Sequence, residues 1–171
     1  MTLSPKHFKT IALIMAAGCG QRVGGALPKQ YLHIKGRSIL SQAILAFLNH
    51  PDIDAVRVVI GAEDGGFYEQ AISSLKNPKL LPSVVGGAER SISVRLGLES
   101  LEDFSLQYVL IHDAARPFVS EKLISRVLQA LKHHKGAIPG IAVADTLKCA
   151  SQTMIETTVD RRDLYQAQTP Q

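Results

Sequence analysis

The most chemically suggestive stretch of the sequence combines glycines with two cations. Residues 16–31, AAGCGQRVGGALPKQY, place Gly18 and Gly20 directly after an apolar run, with Arg22 and Lys29 nearby. Glycine has no side chain, so a glycine-rich loop exposes backbone N–H groups that can surround phosphate oxygens. The pattern predicts a phosphate-binding loop over residues 18–25, with Arg22 and Lys29 supplying positive charge.

The glycine spacing alone does not say which phosphate compound binds. A dinucleotide loop is followed by an acidic residue about 20 positions later, and the corresponding stretch IKGRSIL, residues 34–40, contains none. A Walker loop is excluded because no Gly-Lys-Ser/Thr follows the glycines. An NAD-dependent oxidoreductase is therefore disfavoured, and a loop that wraps some other phosphate compound is left.

A second polar stretch, residues 86–93, follows another apolar run. Gly86 and Gly87 precede ERSISV, in which Ser91 is a suitable N-cap for a helix. Ser93 suits either a purely structural role or a place facing a bound base or phosphate. The stretch predicts a turn that leads into a helix, with a second ligand-facing corner at its start.

A third polar stretch, HDAARP, brings together His112, Asp113 and Arg116. A charged residue at the end of a buried strand needs a partner or a ligand, so Asp113 is the strongest single candidate for a polar role. We interpret His112 as a core histidine whose ring nitrogens are both satisfied.

Strands and helices alternate along the chain and must position these three stretches. Apolar runs predict the strands, and apolar residues at helical spacing predict the helices. The predicted strands are 11–17, 55–62, 83–87, 108–117 and 136–145, and the predicted helices are 39–50, 67–76, 91–101 and 121–134. This order predicts an α/β fold, a doubly wound and mostly parallel sheet with helices on both faces. Ligands bind beyond the carboxyl ends of such strands, so 18–25, 86–90 and 112–116 should converge on one site.

The last part of the chain has a different character. After Asp145 the sequence is polar, rich in threonine and charge, and without helical spacing. It predicts an extended β-arm or hairpin over residues 146–163, with too little apolar surface to fold alone.

Composition narrows the class of protein. A chain of 171 residues fits one domain, and a net charge of +4 without a Lys/Arg block argues against a nucleic-acid partner. No apolar run approaches the roughly 18 residues of a membrane helix, and MTLSPKHFKT lacks the apolar core of a secretory signal. Cys19 and Cys149 match neither a zinc spacing nor a disulfide framework. We expect a cytoplasmic protein with reduced thiols and no membrane partner.

Several stretches together resemble the 2-C-methyl-D-erythritol 4-phosphate cytidylyltransferase family. They are AAGCGQRVGGALPKQY, VVGGAERSISV, VLIHDAARPFV, VADTLK and TVDRRDLYQAQTPQ, in this order up to the last residue. The first alone indicates only the wider sugar-nucleotidyltransferase class, whereas HDAARP with TVDR…QTPQ is much more specific. The resemblance implies a Rossmann-like nucleotidyltransferase fold. It also implies transfer of CMP from CTP to methylerythritol phosphate, with release of pyrophosphate, in non-mevalonate isoprenoid biosynthesis.

The resemblance also implies roles for individual residues. Arg22 and Lys29 would hold the triphosphate and stabilise the transition state, and Gly87 and Ser93 would help to select cytosine. Mg²⁺ would be held mainly by the CTP phosphates, with no protein metal site. The implied nucleotide-binding residues are Ala16, Ala17, Gly18, Gly20, Gly87, Arg90, Ser93, Asp113 and Ala114, and the implied residues for the second substrate are Asp113, Arg116, Thr146 and Arg161.

Domain organisation follows from the same resemblance. Residues 1–171 would form a single nucleotidyltransferase domain, in which residues 146–163 act as a dimerisation arm. In the family this arm clasps a second subunit and its arginine, here Arg161, reaches the neighbouring site, so we expect a homodimer. Family members continue past QTPQ with further substrate-binding segments, so we expect the domain to be incomplete at its C-terminus. In some bacteria the longer chain is fused to a 2-C-methyl-D-erythritol 2,4-cyclodiphosphate synthase.

Two other interpretations stay open on the sequence alone. One is a cytidylyltransferase for another polyol phosphate such as ribitol 5-phosphate, which would share the nucleotide loop and differ in HDAARP and the arm. The other is a non-catalytic CTP-binding fragment, because the family's later substrate-binding segments are missing from the 171 residues.

Overall fold

The secondary structure alternates between strands and helices, as predicted. The computed structural model describes residues 8–18 and 27–171. The strands are β1 (Thr10–Ala16), β2 (His33–Ile34), β3 (Arg37–Ser38), β4 (Ala55–Ile60), β5 (Val84–Val85), β6 (Tyr108–Asp113), β7 (Gly140–Ala142), β8 (Lys148–Ser151), β9 (Met154–Thr158) and β10 (Tyr165–Ala167). The helices are α1 (Ile39–Leu48), α2 (Gly65–Ile72), α3 (Arg90–Glu99) and α4 (Glu121–Leu131), and a short 3-10 helix spans Lys29–Tyr31.

A parallel sheet of four strands, in the order β5-β4-β1-β6, forms the centre of the fold. Strand β1 pairs with β4 on one side and with β6 on the other, so that Met15 lies opposite both Val59 and Asp113. All of β1 is buried, as expected for a central parallel strand that is covered on both faces. The predicted α/β fold with a mostly parallel sheet is confirmed.

Helices cover both faces of this sheet. Phe47 of α1 and Ile124 of α4 belong to the apolar cluster on one face, whereas Leu13 and Val59 belong to the cluster on the other. Helix α3 covers the second face so closely that a Cβ built at Gly97 would lie 2.9 Å from a Val59 carbon and 3.3 Å from a Leu13 carbon. The two-sided arrangement is the predicted doubly wound architecture.

Local sequence signals explain where two of these helices begin. Ser38 caps α1, because its Oγ accepts a hydrogen bond from the Ser41 N–H at 3.0 Å, and Ser120 caps α4 in the same way through the Leu123 N–H. The buried residues of α4 are Ile124, Val127 and Leu128. This spacing of three and four residues puts them on one face of the helix.

Several element boundaries differ from the prediction. Strand β4 ends at Ile60 instead of residue 62, and β5 covers two residues of the predicted 83–87. Strand β6 ends at Asp113 instead of 117, because the N–H of Arg116 donates to the Asp113 carbonyl at 3.0 Å and turns the chain. Helices α1 and α4 end at Leu48 and Leu131, two and three residues early, and α2 covers 65–72 instead of 67–76.

The prediction that Ser91 caps α3 is wrong. Glu89 occupies the N-cap position without a side-chain capping bond, and Ser91 is an exposed residue inside the helix. The helix starts earlier because Glu89 is extended and its carbonyl accepts the first helical hydrogen bond, from the N–H of Ser93 at 2.9 Å. The Ser93 side chain also bonds to Gly87 in the turn before the helix.

The predicted strand over 136–145 is shorter and pairs elsewhere. Only Gly140–Ala142 is a strand, and it pairs antiparallel with β10 in a separate two-stranded sheet. The outer edge of β6 is already used, because Gln171 and Ile111 exchange both of their backbone hydrogen bonds, at 2.8 and 2.9 Å. Pro139, which has no backbone N–H, further restricts pairing before β7.

Residues 146–163 contain an exposed hairpin. Strands β8 and β9 pair antiparallel, with a register shift between Cys149 and Ala150, and every residue of both strands is exposed. Gln152 adopts a φ of 53° in the connecting turn. The hairpin covers part of the predicted arm, and an arm that reaches a second subunit stays a prediction.

Within residues 8–18 and 27–171, no helix is both long enough and apolar enough to cross a bilayer.

Candidate functional site

A cleft of about 530 Å³ opens at the carboxyl ends of β1, β5 and β6. Its walls come from the ends of β1 and β6, from the Lys29–Tyr31 helix and from the turn before α3. The lining residues are Met15, Ala16, Ala17, Gly18, Lys29, Gln30, Gly87, Ala88, Glu89, Arg90, Ser93, Asp113, Ala114, Ala115 and Arg116. The described residues of the three polar stretches therefore line one cleft, with Gly18 as the described member of the first stretch.

Most of the predicted site residues line this cleft, two do not, and two lie outside the described residues. Arg22 and Gly20 lie outside the described residues, as does most of the predicted loop over 18–25. Thr146 and Arg161 do not line the cleft of this chain. Both are exposed on the arm, and the Arg161 guanidinium donates a hydrogen bond to the Ala144 carbonyl.

Gln30 ties the start of the glycine loop to the Lys29–Tyr31 helix. Its amide nitrogen donates to the carbonyl oxygens of Ala16, at 2.7 Å, and Gly18, at 3.2 Å. The side chain is only 3% exposed, whereas Lys29 beside it is exposed and lines the cleft. Gln30 is not among the predicted site residues, although its position directly after a candidate catalytic lysine is a signal that the sequence offers.

Ser93 holds the turn between β5 and α3. Its Oγ accepts a hydrogen bond from the Gly87 N–H at 3.1 Å and lies 3.2 Å from the Gly87 carbonyl, to which it can donate. A Cβ built at Gly86 would lie 2.7 Å from both the Ala17 Cβ and the Ser93 Oγ. Only glycine fits at position 86, so β1 and the turn approach each other closely enough to form one wall of the cleft.

Asp113 lies between two arginines at the end of β6. One carboxylate oxygen is 3.0 Å from Nη2 of Arg90, and the other is 3.3 Å from Nε of Arg116. Arg116 also donates to the side-chain oxygen of Gln168. We call these four residues, Asp113, Arg90, Arg116 and Gln168, the Asp113 cluster. The cluster is partly exposed, so its ion pairs can exchange for contacts with a ligand.

The prediction of a core histidine at position 112 is confirmed. His112 is fully buried against Phe47, with ring centroids 4.9 Å apart. Its Nε2 contacts the Arg116 carbonyl at 3.0 Å, and its Nδ1 contacts Thr169 Oγ1 at 2.9 Å. Burial lowers the pKa of the ring, and the Arg116 carbonyl and the Asp113 charge oppose that shift. The ring is therefore uncharged near neutral pH.

Charge in the cleft is mixed, with cations in excess. Among its described lining residues, Lys29, Arg90 and Arg116 are cationic, whereas Glu89 and Asp113 are acidic. In the part of the chain that the structure describes, no group of three or more His, Cys, Asp or Glu side chains could hold a metal ion. The cleft thus presents cations and backbone to an anionic ligand.

The fold and the site define an α/β protein of the nucleotidyltransferase type. A sequence profile of the IspD family, 2-C-methyl-D-erythritol 4-phosphate cytidylyltransferase, matches residues 10–171. The chain belongs to this family.

The relatives of the chain include bifunctional proteins. It is 55% identical over 163 residues to the bifunctional enzyme IspD/IspF of Rhodospirillum rubrum and 50% identical over 163 residues to that of Paramagnetospirillum magneticum. Each match covers 95% of this chain and 42% of the relative, so the chain spans about two fifths of the length of these proteins.

A solved structure shares the fold over nearly the whole chain. A crystal structure of 4-diphosphocytidyl-2C-methyl-D-erythritol synthase superposes with a TM-score of 0.78 at 35% identity. The match covers 95% of this chain and 73% of that structure.

Proposed function

We propose that the protein carrying this chain transfers a cytidylyl group from CTP to 2-C-methyl-D-erythritol 4-phosphate. The products are 4-diphosphocytidyl-2-C-methyl-D-erythritol and pyrophosphate, formed within non-mevalonate isoprenoid biosynthesis. The observation that carries the proposal is the single cleft that unites Lys29, Gly87, Ser93 and Asp113, all within the family match.

The chemistry of this reaction suits a cleft of cations and backbone. The nucleophile is a phosphate monoester oxygen, which is ionised at neutral pH, so no general base is needed. It attacks the α-phosphorus of CTP, the bond from that phosphorus to the bridging oxygen breaks, and pyrophosphate leaves. The barrier comes from bringing two polyanions together, so positioning and fixed positive charge are what the protein must supply.

Lys29 is the described cation best placed to act on the triphosphate. It is exposed on the cleft wall, one residue before the buried Gln30 that fixes its helix to the glycine loop. A cation held in this way stabilises the charge that builds on the phosphoryl oxygens in the transition state. The matching role of Arg22 rests on the family resemblance.

The turn after β5 and the Asp113 cluster are proposed to bind the rest of the two substrates. Gly87 and Ser93 are proposed to face cytosine, in a space that the close packing at Gly86 keeps narrow. Arg90, Asp113 and Ala114 are proposed to face the nucleotide, whereas Asp113 and Arg116 face the alcohol phosphate. Incoming phosphate and hydroxyl groups would exchange with the arginine contacts of Asp113.

Mg²⁺ is the cofactor proposed for this site. Mg²⁺ usually keeps several water molecules and binds through one or two carboxylates together with substrate phosphates. Both Asp113 oxygens already contact arginines, so the described residues fit an ion held mainly by the CTP phosphates, with Asp113 as the adjacent protein carboxylate. When bound, the ion would neutralise part of the phosphate charge.

A homodimer with shared sites is proposed from the arm. The hairpin exposes Met154 and Ile155, which are 72% and 65% exposed, and a lone two-stranded hairpin is marginally stable in water. A second copy of the chain would cover it and would receive Arg161 in its own cleft. Because CTP is a cytosolic nucleotide, the protein is proposed to act in the cytoplasm.

The activity is tested on the full-length protein with CTP, Mg²⁺ and each of two alcohol phosphates. Pyrophosphate release with methylerythritol phosphate, and at least about tenfold lower kcat/KM with ribitol 5-phosphate, is expected. Faster turnover of ribitol phosphate would overturn the choice of substrate. Binding of CTP by calorimetry without any pyrophosphate release would identify a non-catalytic nucleotide-binding protein.

The shared site is tested by mixing two inactive variants. Heterodimers of Lys29→Ala and Arg161→Ala subunits contain one cleft with both residues intact, if Arg161 acts in the neighbouring cleft. Mixed dimers should therefore regain activity, whereas each variant alone should not. Failure of the mixture to regain activity would place Arg161 in its own subunit's site.

A further inference from the structure

His112 lies beneath the Asp113 cluster and joins two parts of the chain that are far apart in sequence. The turn of residues 113–116 lies on one side of its ring, and the QTPQ stretch of residues 168–171 lies on the other. His112 is 0% exposed and is not itself one of the residues that line the cleft. The chemistry proposed above makes no use of it.

The two contacts of the ring fix its tautomer. A carbonyl oxygen can only accept a hydrogen bond, so the Nε2 atom facing Arg116 must carry the proton. In the uncharged ring Nδ1 then has a lone pair and accepts from the Thr169 hydroxyl at 2.9 Å. The same hydroxyl oxygen lies 3.4 Å from the Asp113 N–H, the long third contact of this network.

These contacts fix the position of the Arg116 backbone, from which its side chain extends. Its N–H donates to the Asp113 carbonyl at 3.0 Å, and its carbonyl accepts from His112, so the backbone is held at both ends. The guanidinium then reaches the Asp113 carboxylate and the side chain of Gln168, the residue before Thr169. His112 therefore holds both residues of the Arg116–Gln168 contact, one directly and the other through its neighbour.

We propose that His112 is a positioning residue for the alcohol phosphate, which fixes Arg116 relative to Thr169 and so keeps the Arg116–Gln168 contact on one side of the cleft. This inference rests on the proposed function, because there Arg116 faces the second substrate. It predicts an effect on one substrate and not on the other, which a general role in folding would not produce.

The first test compares Thr169→Val with Thr169→Ser in the full-length protein. Valine fills a similar volume without the hydroxyl, whereas serine keeps the hydroxyl and serves as the matched control. Thr169→Val should raise KM for the alcohol phosphate about tenfold and leave KM for CTP within about twofold, and Thr169→Ser should resemble the wild type. Equal increases in both KM values, or equal behaviour of the two variants, would refute the positioning role.

The second comparison concerns the ring itself. His112→Gln keeps a donor toward the Arg116 carbonyl and loses the acceptor for Thr169, so it should raise the same KM as Thr169→Val. Adding Thr169→Val to His112→Gln should then raise this KM little further, because each change removes the same hydrogen bond between His112 and Thr169. Fully additive effects would show that the two residues act separately. If His112→Gln does not fold, the comparison of Thr169→Val with Thr169→Ser alone tests the positioning role.

A spectroscopic readout separates this inference from the proposed function. Nitrogen NMR of the histidine side chains should find His112 as the Nε2–H tautomer at neutral pH, with a shift of its Nδ1 signal in Thr169→Val. If the wild-type protein transfers no cytidylyl group, the proposed function fails. The NMR measurement still tests the hydrogen bond between His112 and Thr169. An Nδ1–H tautomer, or an Nδ1 chemical shift that is unchanged in Thr169→Val, would overturn the inference.

Discussion

Lys29 and Gln30 are neighbours with opposite environments. Lys29 is exposed to the cleft, whereas Gln30 is buried and bonded to two carbonyl groups of the loop that follows β1. One residue offers charge to a ligand, and the other fixes the backbone from which that charge is offered. Separate measurements can therefore distinguish them.

Lys29→Ala should lower turnover far more than it weakens CTP binding. The lysine is proposed to act on charge that is greatest in the transition state, so kcat should fall about a hundredfold while the Kd for CTP changes less. Steady-state kinetics and calorimetry on the full-length protein measure the two effects. Lys76→Ala, at an exposed position away from the cleft, is the control. Weaker CTP binding with unchanged turnover at saturation would contradict the transition-state role.

Gln30→Glu should destabilise the fold and weaken CTP binding together. The substitution keeps the shape of the side chain but turns a carboxylate toward the carbonyls of Ala16 and Gly18, and a lost hydrogen bond to a buried group costs about 1–3 kcal/mol. Urea unfolding and CTP titration measure both losses. Gln70→Glu, at an exposed position in α2, is the matched control. An unchanged urea midpoint would show that the two bonds do not hold the loop.

Helix α3 depends on the absence of a side chain at Gly97. Gly97→Ala should destabilise the protein, because the added Cβ would lie 2.9 Å from Val59 in the packed face. Overpacking of this kind costs about 1–3 kcal/mol, which exceeds the gain of up to about 1 kcal/mol in helix propensity. Gly66→Ala in α2 adds the same methyl group with nothing within 4 Å and should be neutral or stabilising. Thermal unfolding that ranks the two variants the other way would contradict the packing argument.

The arm should control the association of subunits. Replacing Met154 and Ile155 by glutamate places two charges in the apolar part of the proposed interface, so the dimer Kd should rise at least about tenfold. Sedimentation at several concentrations measures this. Thr153→Glu adds a charge in the turn directly before β9 without removing apolar surface and is the control. A dimer that survives the double substitution must form through another surface.

Sequence patterns predicted the positions of the strands and helices better than they predicted which strands pair. The apolar runs of β1, β4 and β6 identify strands of the parallel sheet, because strands covered by helices on both faces need apolar residues on both faces. The run at 136–145 looks similar, yet its strand pairs with β10, since Gln171 already bonds to the edge of β6. Which strand occupies an edge depends on residues far along the chain, and no local pattern reports it.

The same limit applies to the candidate site. Asp113 and Lys29 are visible in the sequence because charge at the end of an apolar strand or beside glycines is unusual. Gln30, Gln168 and Thr169 are ordinary polar residues whose importance comes from what they contact: a loop carbonyl, Arg116 and His112. Ser91 looks like a better cap than Glu89, but the Ser93–Gly87 contact decides where α3 begins.

At the scale of the whole molecule, the buried His112 makes stability depend on pH. Burial lowers its pKa in the folded state, whereas the unfolded chain has the ordinary value of about 6.5. Below that pH the His112 side chain binds a proton in the unfolded state more readily than in the folded state. Its contribution is therefore complete above about pH 6.5 and is lost as the pH falls from there toward the lowered folded pKa.

Urea unfolding across roughly pH 5 to 8 measures this dependence. The free energy of unfolding of the wild type should decrease as the pH falls below about 6.5, and His112→Gln should lose most of that slope. His134→Gln, at an exposed position, is the control and should keep it. A His112→Gln variant with the full wild-type slope would show that other groups are responsible.

The bond pair between Ile111 and Gln171 sets an order in which the site can be assembled during translation. The cleft walls from β1, the Lys29–Tyr31 helix and the turn before α3 are made by residues that leave the ribosome well before residues 168–171 do. Until residues 168–171 are synthesised, the edge of β6 at Ile111 lacks this pairing, and His112 lacks its partner Thr169. We expect the synthesis of residues 168–171 to complete the Arg116 side of the cleft and, in the same step, to protect this edge of the sheet from pairing with other chains.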